Sequence, residues 1–264
     1  MSGAAIQGGD GTLQRVADVV ARLQEIEASA PPSDGVVCFA RLYREVTQAV
    51  DDELRGRSAG DPGFVQRLDL RFAGLFFDAL GAFERAPATA PRAWAPLIEA
   101  RSRRGIAPLQ FALAGMNAHI NRDLPVALVT TCSELGLALD DDSVEHRDYE
   151  RVDALLAQVE RRVKASYLTG PLATIDRILH RLRRLDDVVA MWDVGRARDA
   201  AWTNARALWA LRGEPELADA FVLALDRTTG LAGRGLLIPA DTALERFGRL
   251  VRGGLSRVGP ATRA

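Results

Sequence analysis

Apolar residues recur at spacings of three and four along almost the whole chain, which is the period of amphipathic α-helices. The first stripe consists of Leu13, Val16, Val20, Leu23 and Ile26. It stops at Pro31 and Pro32, because proline has no backbone N–H to continue a helix. No segment shows the sustained two-residue alternation of a half-buried strand, and β-branched residues are sparse. The pattern predicts an all-α fold.

The segment from about Ile106 to Leu135 is apolar almost all round, which is typical of a helix at the centre of a fold. With 264 residues, the chain lies near the upper end for one domain and can bury a sizeable core. We predict a single compact domain of about eight or nine helices around the central apolar helix (about 106–135). The domain covers residues 12–252, between a disordered N-terminus (1–11) and a frayed basic tail (253–264).

The stretch GMNAHINRDLP, residues 115–125, interrupts this central helix with polar groups. At helical spacing, His119 and Asp123 lie one turn apart on one flank of the apolar stripe. Asn117 and Asn121 lie one turn apart on the other flank. Pro125 adds one more group that needs a hydrogen-bond partner, because it has no N–H to donate to the Asn121 carbonyl. Burying such groups unpaired costs roughly 1–3 kcal/mol each, so they are expected to bind one another or to form a site.

Two interpretations of the central stretch stay open. His119 and Asp123 can act as metal ligands or as an acid–base pair, since side chains at i and i+4 share one face and a carboxylate orients an imidazole. In that case Asn117 and Asn121 orient the substrate. Alternatively, the four side chains satisfy one another and the freed carbonyl, in a purely structural polar core.

A second candidate is EHRDYE, residues 145–150, at the start of a predicted helix. Acidic residues there suit the helix dipole, but His146 does not when it is charged. Only a turn separates this helix from the central one, so His146 could approach His119. The predicted metal ligands are His119, Asp123, His146 and Asp148, with His146 also a candidate catalytic residue. The metal would be a divalent ion, zinc, iron or manganese, although zinc needs three or four ligands.

The spacing His-x-x-x-Asp at His119 and Asp123 is similar to part of the metal-binding helix of zinc-dependent phospholipase C and its nuclease relatives. Those families continue Asp-x-x-x-Pro-x-His. Here LPVALVTT follows Asp123, without a second histidine.

Aromatic and acidic residues supply lesser candidates. Trp192, Trp202 and Trp209 fall near one helix face, as core or as the lining of an apolar ligand pocket. Trp192, Trp202 and Tyr149 are therefore candidate substrate contacts. The aspartate pairs in DDE (51–53) and LDD (185–187) resemble the diphosphate motifs of class I terpene synthases but lack the full DDxxD spacing. Solvated helix charge explains them better.

Composition narrows the function classes. The formal net charge is −1, and no long basic run provides a nucleic-acid surface. No uninterrupted apolar run reaches the roughly 18 residues of a membrane-spanning helix. MSGAAIQGGDG lacks the basic and apolar segments of a signal peptide, so we expect a cytoplasmic protein. Cys38 and Cys132, both in apolar helical contexts, are expected to be buried free thiols.

Four segments together resemble the mainly actinobacterial family known as domain of unknown function 5995, over about residues 12–240. They are DGVVCFARLYREVT, GIAPLQFALAGMNAHINRDLP, HRDYERV and DVGRARDAAWTNARALWAL. The resemblance implies a helical bacterial protein and no particular activity.

Three functions follow from these observations. The first is an enzyme that uses the buried His/Asp cluster, by metal-assisted hydrolysis or acid–base catalysis, on a small, partly apolar molecule. The second is a non-catalytic helical ligand-binding or interaction protein with a structural polar core. The third is terpene-synthase-like diphosphate chemistry. The expected partner in the first case is a small-molecule substrate, with neither nucleic acid nor membrane.

Overall fold

The computed structural model describes residues 13–55, 62–152, 156 and 193–239. These residues contain helices and connecting loops, and no strand is found among them, which confirms the all-α prediction. Three predictions lie outside the described residues: the terminal segments, the aspartate pair in 185–187, and Trp192.

Nine α-helical segments can be named in the described part of the chain. The first four are α1 (Val16–Ser29), α2 (Gly35–Arg55), α3 (Pro62–Arg85) and α4 (Ala95–Ala100). The central pair, α5 (Pro108–Ala118) and α6 (Leu124–Leu135), is joined by a π-helix (His119–Asp123). The remaining segments are α7 (helical residues 144–152), α8 (Val194–Ala210) and α9 (Pro215–Leu236). A short 3₁₀ turn, Pro87–Thr89, precedes α4.

The start of α2 shows how the sequence sets a helix boundary. Asp34 follows the proline pair, and its Oδ1 accepts hydrogen bonds from the backbone N–H groups of Val36 (2.9 Å) and Val37 (3.2 Å). The side chain thereby satisfies two amides that have no partner within the helix. Arg101 donates from Nε to the other oxygen at 2.7 Å. This contact ties the start of α2 to the segment after α4.

The central helix continues through its proline by widening one turn. Pro125 offers no N–H to the Asn121 carbonyl, and the residues just before it adopt the π-helix. The N–H of Leu124 reaches back five residues to the His119 carbonyl. The helix ends at Gly136, whose φ of 66° is left-handed. The π-helix turns the polar residues relative to a regular α-helix, and π-bulges are frequent at functional sites.

Two buried apolar clusters flank the central helix. One lies among α1 to α5 and includes Phe39, Phe76 and Trp94. The other includes Leu124 and Leu128 from α6, packed with residues of α7 and α8. The central helix is therefore covered from both sides, as its nearly all-round apolar surface predicted.

The last described helix, α9, packs closely on the segment before α4. A Cβ added at Gly230 would lie 2.4 Å from the Arg92 carbonyl oxygen, so only glycine fits there. Gln110 of α5 donates from Nε2 to the carbonyls of Leu236 (2.8 Å) and Ile238 (3.0 Å). These contacts hold α9 against the central helix.

None of the described helices combines the length and the apolar character that crossing a membrane requires.

Candidate functional site

His119 begins the π-helix and lies inside the protein, with 1% of its surface exposed. Phe72 of α3 lies flat against the imidazole, with ring centroids 3.4 Å apart. Tyr43 of α2 meets it edge-on at 4.5 Å. Three further aromatic rings complete the surroundings at 5.8–6.4 Å: Phe39, Phe76 and Trp94. The histidine therefore lies in an aromatic box built by α2, α3 and the start of α4.

Asp123 holds one side of the imidazole. His119 Nδ1 lies 3.5 Å from Asp123 Oδ2, at the outer limit of a hydrogen bond. The indole N–H of Trp94 donates to the same oxygen at 2.9 Å, and Arg122 Nη1 donates to Oδ1 at 2.8 Å. The carboxylate is fully buried and fixed from both sides. It favours the tautomer with the proton on Nδ1, which leaves Nε2 as an acceptor.

His119 is held in its neutral form. Burial lowers the pKa of the imidazole, because the charged form loses its hydration, and Asp123 offsets part of this effect. Near neutral pH the ring therefore presents an unprotonated Nε2.

Four buried polar atoms near the box have no hydrogen-bond partner among the described residues, except that the Thr47 hydroxyl interacts with that of Tyr43. They are His119 Nε2, Tyr43 Oη, Thr47 Oγ1 and Asp69 Oδ2. Tyr43 and Thr47 lie one turn apart on α2, and Asp69 lies one turn before Phe72 on α3. Each unpaired group costs roughly 1–3 kcal/mol in a protein interior. Such groups converging on one region are what a small polar ligand would satisfy.

The electrostatics of this group favour neutral side chains. Burial raises the pKa of Asp69 to about 7, and the negative charge of Asp51 adds to the effect. Burial also raises the pKa of Tyr43 well above its ordinary value, with contributions from the charges of Asp69 and Asp123. Tyr43 therefore stays a phenol, and Asp69 loses its proton only as the pH rises to about 7.

Arg122 links the site to α9. Its Nε lies 3.8 Å from Asp226 Oδ1. Asp226 in turn accepts hydrogen bonds from the backbone N–H groups of Arg92 (2.8 Å) and Ala93 (3.0 Å), just before Trp94. The position of Trp94, and with it the bond to Asp123, is therefore set partly by α9.

The two asparagines predicted to orient a substrate have structural partners. Asn117 donates from Nδ2 to the Thr229 carbonyl of α9 at 2.9 Å. Asn121 donates from Nδ2 to Asn117 Oδ1 at 3.1 Å. This chain of bonds fixes α9 to the central helix. A role of either asparagine in substrate binding stays a prediction.

The structure places His146 in surroundings that it does not share with His119. Its ring stacks on Trp202 at 4.3 Å, and Nδ1 lies 2.7 Å from the Asp141 carbonyl. Nε2 lies 3.9 Å from the Glu150 carboxylate. Among the described residues, none of these partners also contacts His119. No contact between the two histidines is found among the described residues, and they do not belong to a common group of metal-binding side chains there.

The other residues of the second candidate stretch also have partners around α8. Tyr149 donates from its hydroxyl to the Arg198 carbonyl at 2.8 Å, and the Arg198 guanidinium lies 4.0 Å from the centre of its ring. Asp148 accepts from Arg151 at 2.7 Å. Trp202 donates from its indole to Asp141 Oδ1 at 2.8 Å. Tyr149 thereby joins α7 to α8, and the predicted contact of Tyr149 and Trp202 with a substrate is untested.

The described residues do not gather the predicted metal ligands. Within these residues, no group of three or more histidine, cysteine, aspartate or glutamate side chains is arranged to hold a metal ion. His119 and Asp123 are neighbours, while His146 and Asp148 have the partners given above. A metal at His119 Nε2 would lack the three or four protein ligands that zinc usually takes.

Sequence reasoning missed Tyr43, Thr47, Asp69, Phe72 and Trp94 as site residues. One signal was present: Asp69 lies three residues before Phe72 and seven before Phe76, which places a carboxylate beside an apolar stripe. The hydroxyls gave no such signal, because an occasional tyrosine or threonine on an apolar face is common. Their convergence depends on how α2 and α3 pack around the π-helix.

The cysteines match their prediction and offer no nucleophile. Cys38 and Cys132 are buried free thiols. Burial raises the pKa of each to about 11, so both remain protonated near neutral pH.

Comparison with known proteins places the chain by family alone. No curated protein and no solved structure matches it significantly. The model of a family of unknown function, DUF5995, matches residues 16–239, which include α1 to α9 and the whole aromatic box. The chain therefore belongs to the DUF5995 family, as the four segments of its sequence predicted.

Proposed function

We propose that the protein is an acid–base enzyme for a small, partly apolar molecule, with His119 as the group that carries the proton. One observation carries the proposal. His119 Nε2 is buried without a partner, while Nδ1 faces a carboxylate that Trp94 and Arg122 hold in place. A purely structural histidine would be expected to use both nitrogens.

The chemistry follows from this arrangement. The neutral Nε2 accepts a proton from the substrate, and the resulting imidazolium is stabilised by Asp123 at the other nitrogen. The lowered pKa of His119 keeps the ring unprotonated before the reaction. The aromatic rings exclude water, which strengthens the attraction between the transient imidazolium and Asp123.

The surroundings of His119 also limit the size and the polarity of the substrate. His119 is only 1% exposed, so the substrate that reaches it is small. The aromatic walls favour an apolar part, and the hydroxyls of Tyr43 and Thr47, which have no partner among the described residues besides each other, favour a polar part. We also propose that the protein acts in the cytoplasm, because its two free thiols suit a reducing compartment.

A metal-assisted reaction requires metal ligands, which acid–base catalysis does not. His119 Nε2 and Asp69 Oδ2 are the two metal-binding atoms of the site that lack partners among the described residues. Zinc, iron or manganese would therefore need further ligands from the substrate or water. That version stays a prediction, which metal analysis tests.

The proposal is tested by following metabolites. Purified protein is incubated with a metabolite extract of an actinobacterium, the source that the family resemblance implies, and mass spectrometry follows the metabolites that disappear or form. We expect turnover by the wild type and its loss in His119→Asn, which keeps an N–H near Asp123 but removes Nε2. His146→Asn is the matched control and should retain turnover.

The same experiment separates the alternatives. A metabolite that binds the wild type without being converted would favour a non-catalytic ligand-binding protein, with the polar cluster as a binding site. Turnover that survives His119→Asn would contradict the proposal. Magnesium-dependent conversion of a diphosphate would favour the terpene-synthase-like function, for which Asp51 and Asp52 of α2 are the described candidates.

A further inference from the structure

The unpartnered groups on α2 and α3 define what kind of molecule His119 would act on. Tyr43 Oη and Asp69 Oδ2 belong to α2 and α3, and both atoms are buried. The Tyr43 hydroxyl interacts with that of Thr47, and Asp69 Oδ2 has no hydrogen-bond partner among the described residues. Asp69 lies one helical turn before Phe72, whose ring lies 6.3 Å from the Tyr43 ring and 3.4 Å from the His119 ring. The Tyr43 ring lies 4.5 Å from the His119 ring. Two polar groups therefore face the region beside the proposed base.

Both groups are hydrogen-bond donors in the form that the interior favours. Tyr43 keeps its proton because burial disfavours the phenolate. Asp69 keeps its proton below a pKa of about 7, because burial and the charge of Asp51 disfavour the carboxylate. Asp123 is the other acid near Tyr43, and Trp94 and Arg122 already satisfy it. A tyrosine and a protonated aspartate in an apolar site can stabilise an oxyanion.

We propose that Tyr43 and Asp69 together bind the oxygen of a carbonyl substrate, and that His119 removes a proton from the carbon next to that carbonyl. The substrate class is a small ketone, aldehyde or related carbonyl compound with an apolar body. This inference rests on the proposed function for the role of His119. The binding of the oxygen by Tyr43 and Asp69 does not depend on turnover.

The step balances without a further reactant. His119 Nε2 takes the proton, the C–H electron pair forms a carbon–carbon double bond, and the carbonyl π pair moves onto the oxygen. Tyr43 and Asp69 donate hydrogen bonds to the enolate oxygen. Return of the proton from His119 to the far carbon of an enolate that is conjugated with a further C=C bond completes an isomerisation.

Binding of 4-nitrophenol tests the oxygen site directly, because a phenol oxygen on an unsaturated carbon resembles that of an enolate. Absorbance titration at pH 6 should show saturable binding to the wild type. Tyr43→Phe and Asp69→Leu should each weaken it by about fivefold or more, the usual loss for one hydrogen bond. Asp69→Asn retains a donor and should keep most of the binding.

Folding of these variants is expected, since Asp69 Oδ2 has no hydrogen-bond partner among the described residues and Tyr43→Phe removes only the interaction with the Thr47 hydroxyl. Thr131→Val is the matched control: Thr131 Oγ1 is also buried and unpartnered, but lies twelve residues, or about 18 Å, farther along the central helix. It should bind the probe like the wild type. Absence of saturable binding, or binding that Tyr43→Phe and Asp69→Leu leave unchanged, would overturn the inference.

The two proposals fail separately. Probe binding lost in Tyr43→Phe together with metabolite turnover that survives His119→Asn would uphold the oxygen site and reject His119 as the base. Turnover that requires His119 but leaves carbonyl compounds untouched would uphold the base and reject the carbonyl substrate.

Discussion

Phe72 and His119 lie face to face, with ring centroids 3.4 Å apart and planes 7° from parallel. The phenyl ring covers one face of the imidazole and keeps water from it. Because the stacked ring cannot replace the lost hydration of a charged imidazole, the neutral form is favoured. Phe72 belongs to α3 and His119 to the central helix, so the protonation state of the site depends on how these two helices pack.

The buried imidazole should make the protein sensitive to mild acid. The pKa of His119 is lowered in the folded state, whereas the unfolded chain takes up the proton near the ordinary value of 6.5. The contribution of His119 to stability is therefore present above that value and lost as the pH falls through the folded-state pKa. We expect His119→Asn to lose less stability than the wild type between pH 7 and pH 5, measured by urea unfolding. Asp69 is present in both proteins, so its contribution cancels.

Asp69 should have the opposite effect. Its folded-state pKa is about 7 against 3.8 for the ordinary group, so folding is favoured below 3.8 and opposed as the pH rises through 7. We expect Asp69→Asn to match the wild type near pH 4 and to be more stable at pH 8, by on the order of 4 kcal/mol. Urea unfolding at both pH values measures the difference. An equal difference at the two values would contradict the raised pKa.

The indole of Trp94 should matter more to stability than that of Trp202. Trp94→Phe keeps an aromatic ring in the box but removes the N–H that the fully buried Asp123 accepts. We expect a loss of about 2–3 kcal/mol, since the carboxylate is left with one fewer partner. Trp202→Phe is the control, because its acceptor, Asp141, is 47% exposed and water can replace the bond. Denaturant unfolding of both variants decides the order.

Two glycines should respond oppositely to alanine. A Cβ at Gly115 would lie 2.3 Å from the Phe39 ring, which borders the His119 box. Gly115→Ala should therefore destabilise the protein by about 1–3 kcal/mol. A Cβ at Gly74, in the middle of α3, meets nothing within 4 Å. Gly74→Ala should stabilise it by about 0.5–1 kcal/mol through helix propensity, and thermal unfolding of the pair measures both.

Metal analysis decides between the two versions of the proposed enzyme. If the enzyme uses acid–base catalysis, purified wild type and folded His119→Asn should have the same metal content. Both proteins are purified without a chelator and without a metal-binding tag. Near-stoichiometric zinc, iron or manganese in the wild type alone would support a metal-assisted reaction at His119. Elemental analysis by mass spectrometry gives the answer directly.

Local sequence signals were sufficient for the helices and for part of the site. The period of the apolar residues predicted the all-α fold, and the proline and aspartate before α2 marked its start. The polar interruption of the central helix pointed to His119 and Asp123, which the structure shows buried side by side. These features depend on residues within one or two helical turns, so they can be predicted directly from the sequence.

Contacts between helices could not be predicted from the sequence alone. The short connection before α7 suggested that His146 approaches His119, but the stack on Trp202 gives it another environment. Asn117 and Asn121, on the flank opposite His119, turned out to hold α9. Helical spacing says which side chains share a face, and it does not say which other helix covers that face.

The sequence by itself determined that this chain is helical, that it has a central apolar helix, and that one histidine and one aspartate of that helix lie inside. Only the tertiary structure decided that Tyr43, Thr47 and Asp69 join them, because these residues come from α2 and α3. The physical reason is the range of the interactions. Periodicity and capping act over a few residues, while desolvation and unmet hydrogen bonds depend on every helix that closes around the site.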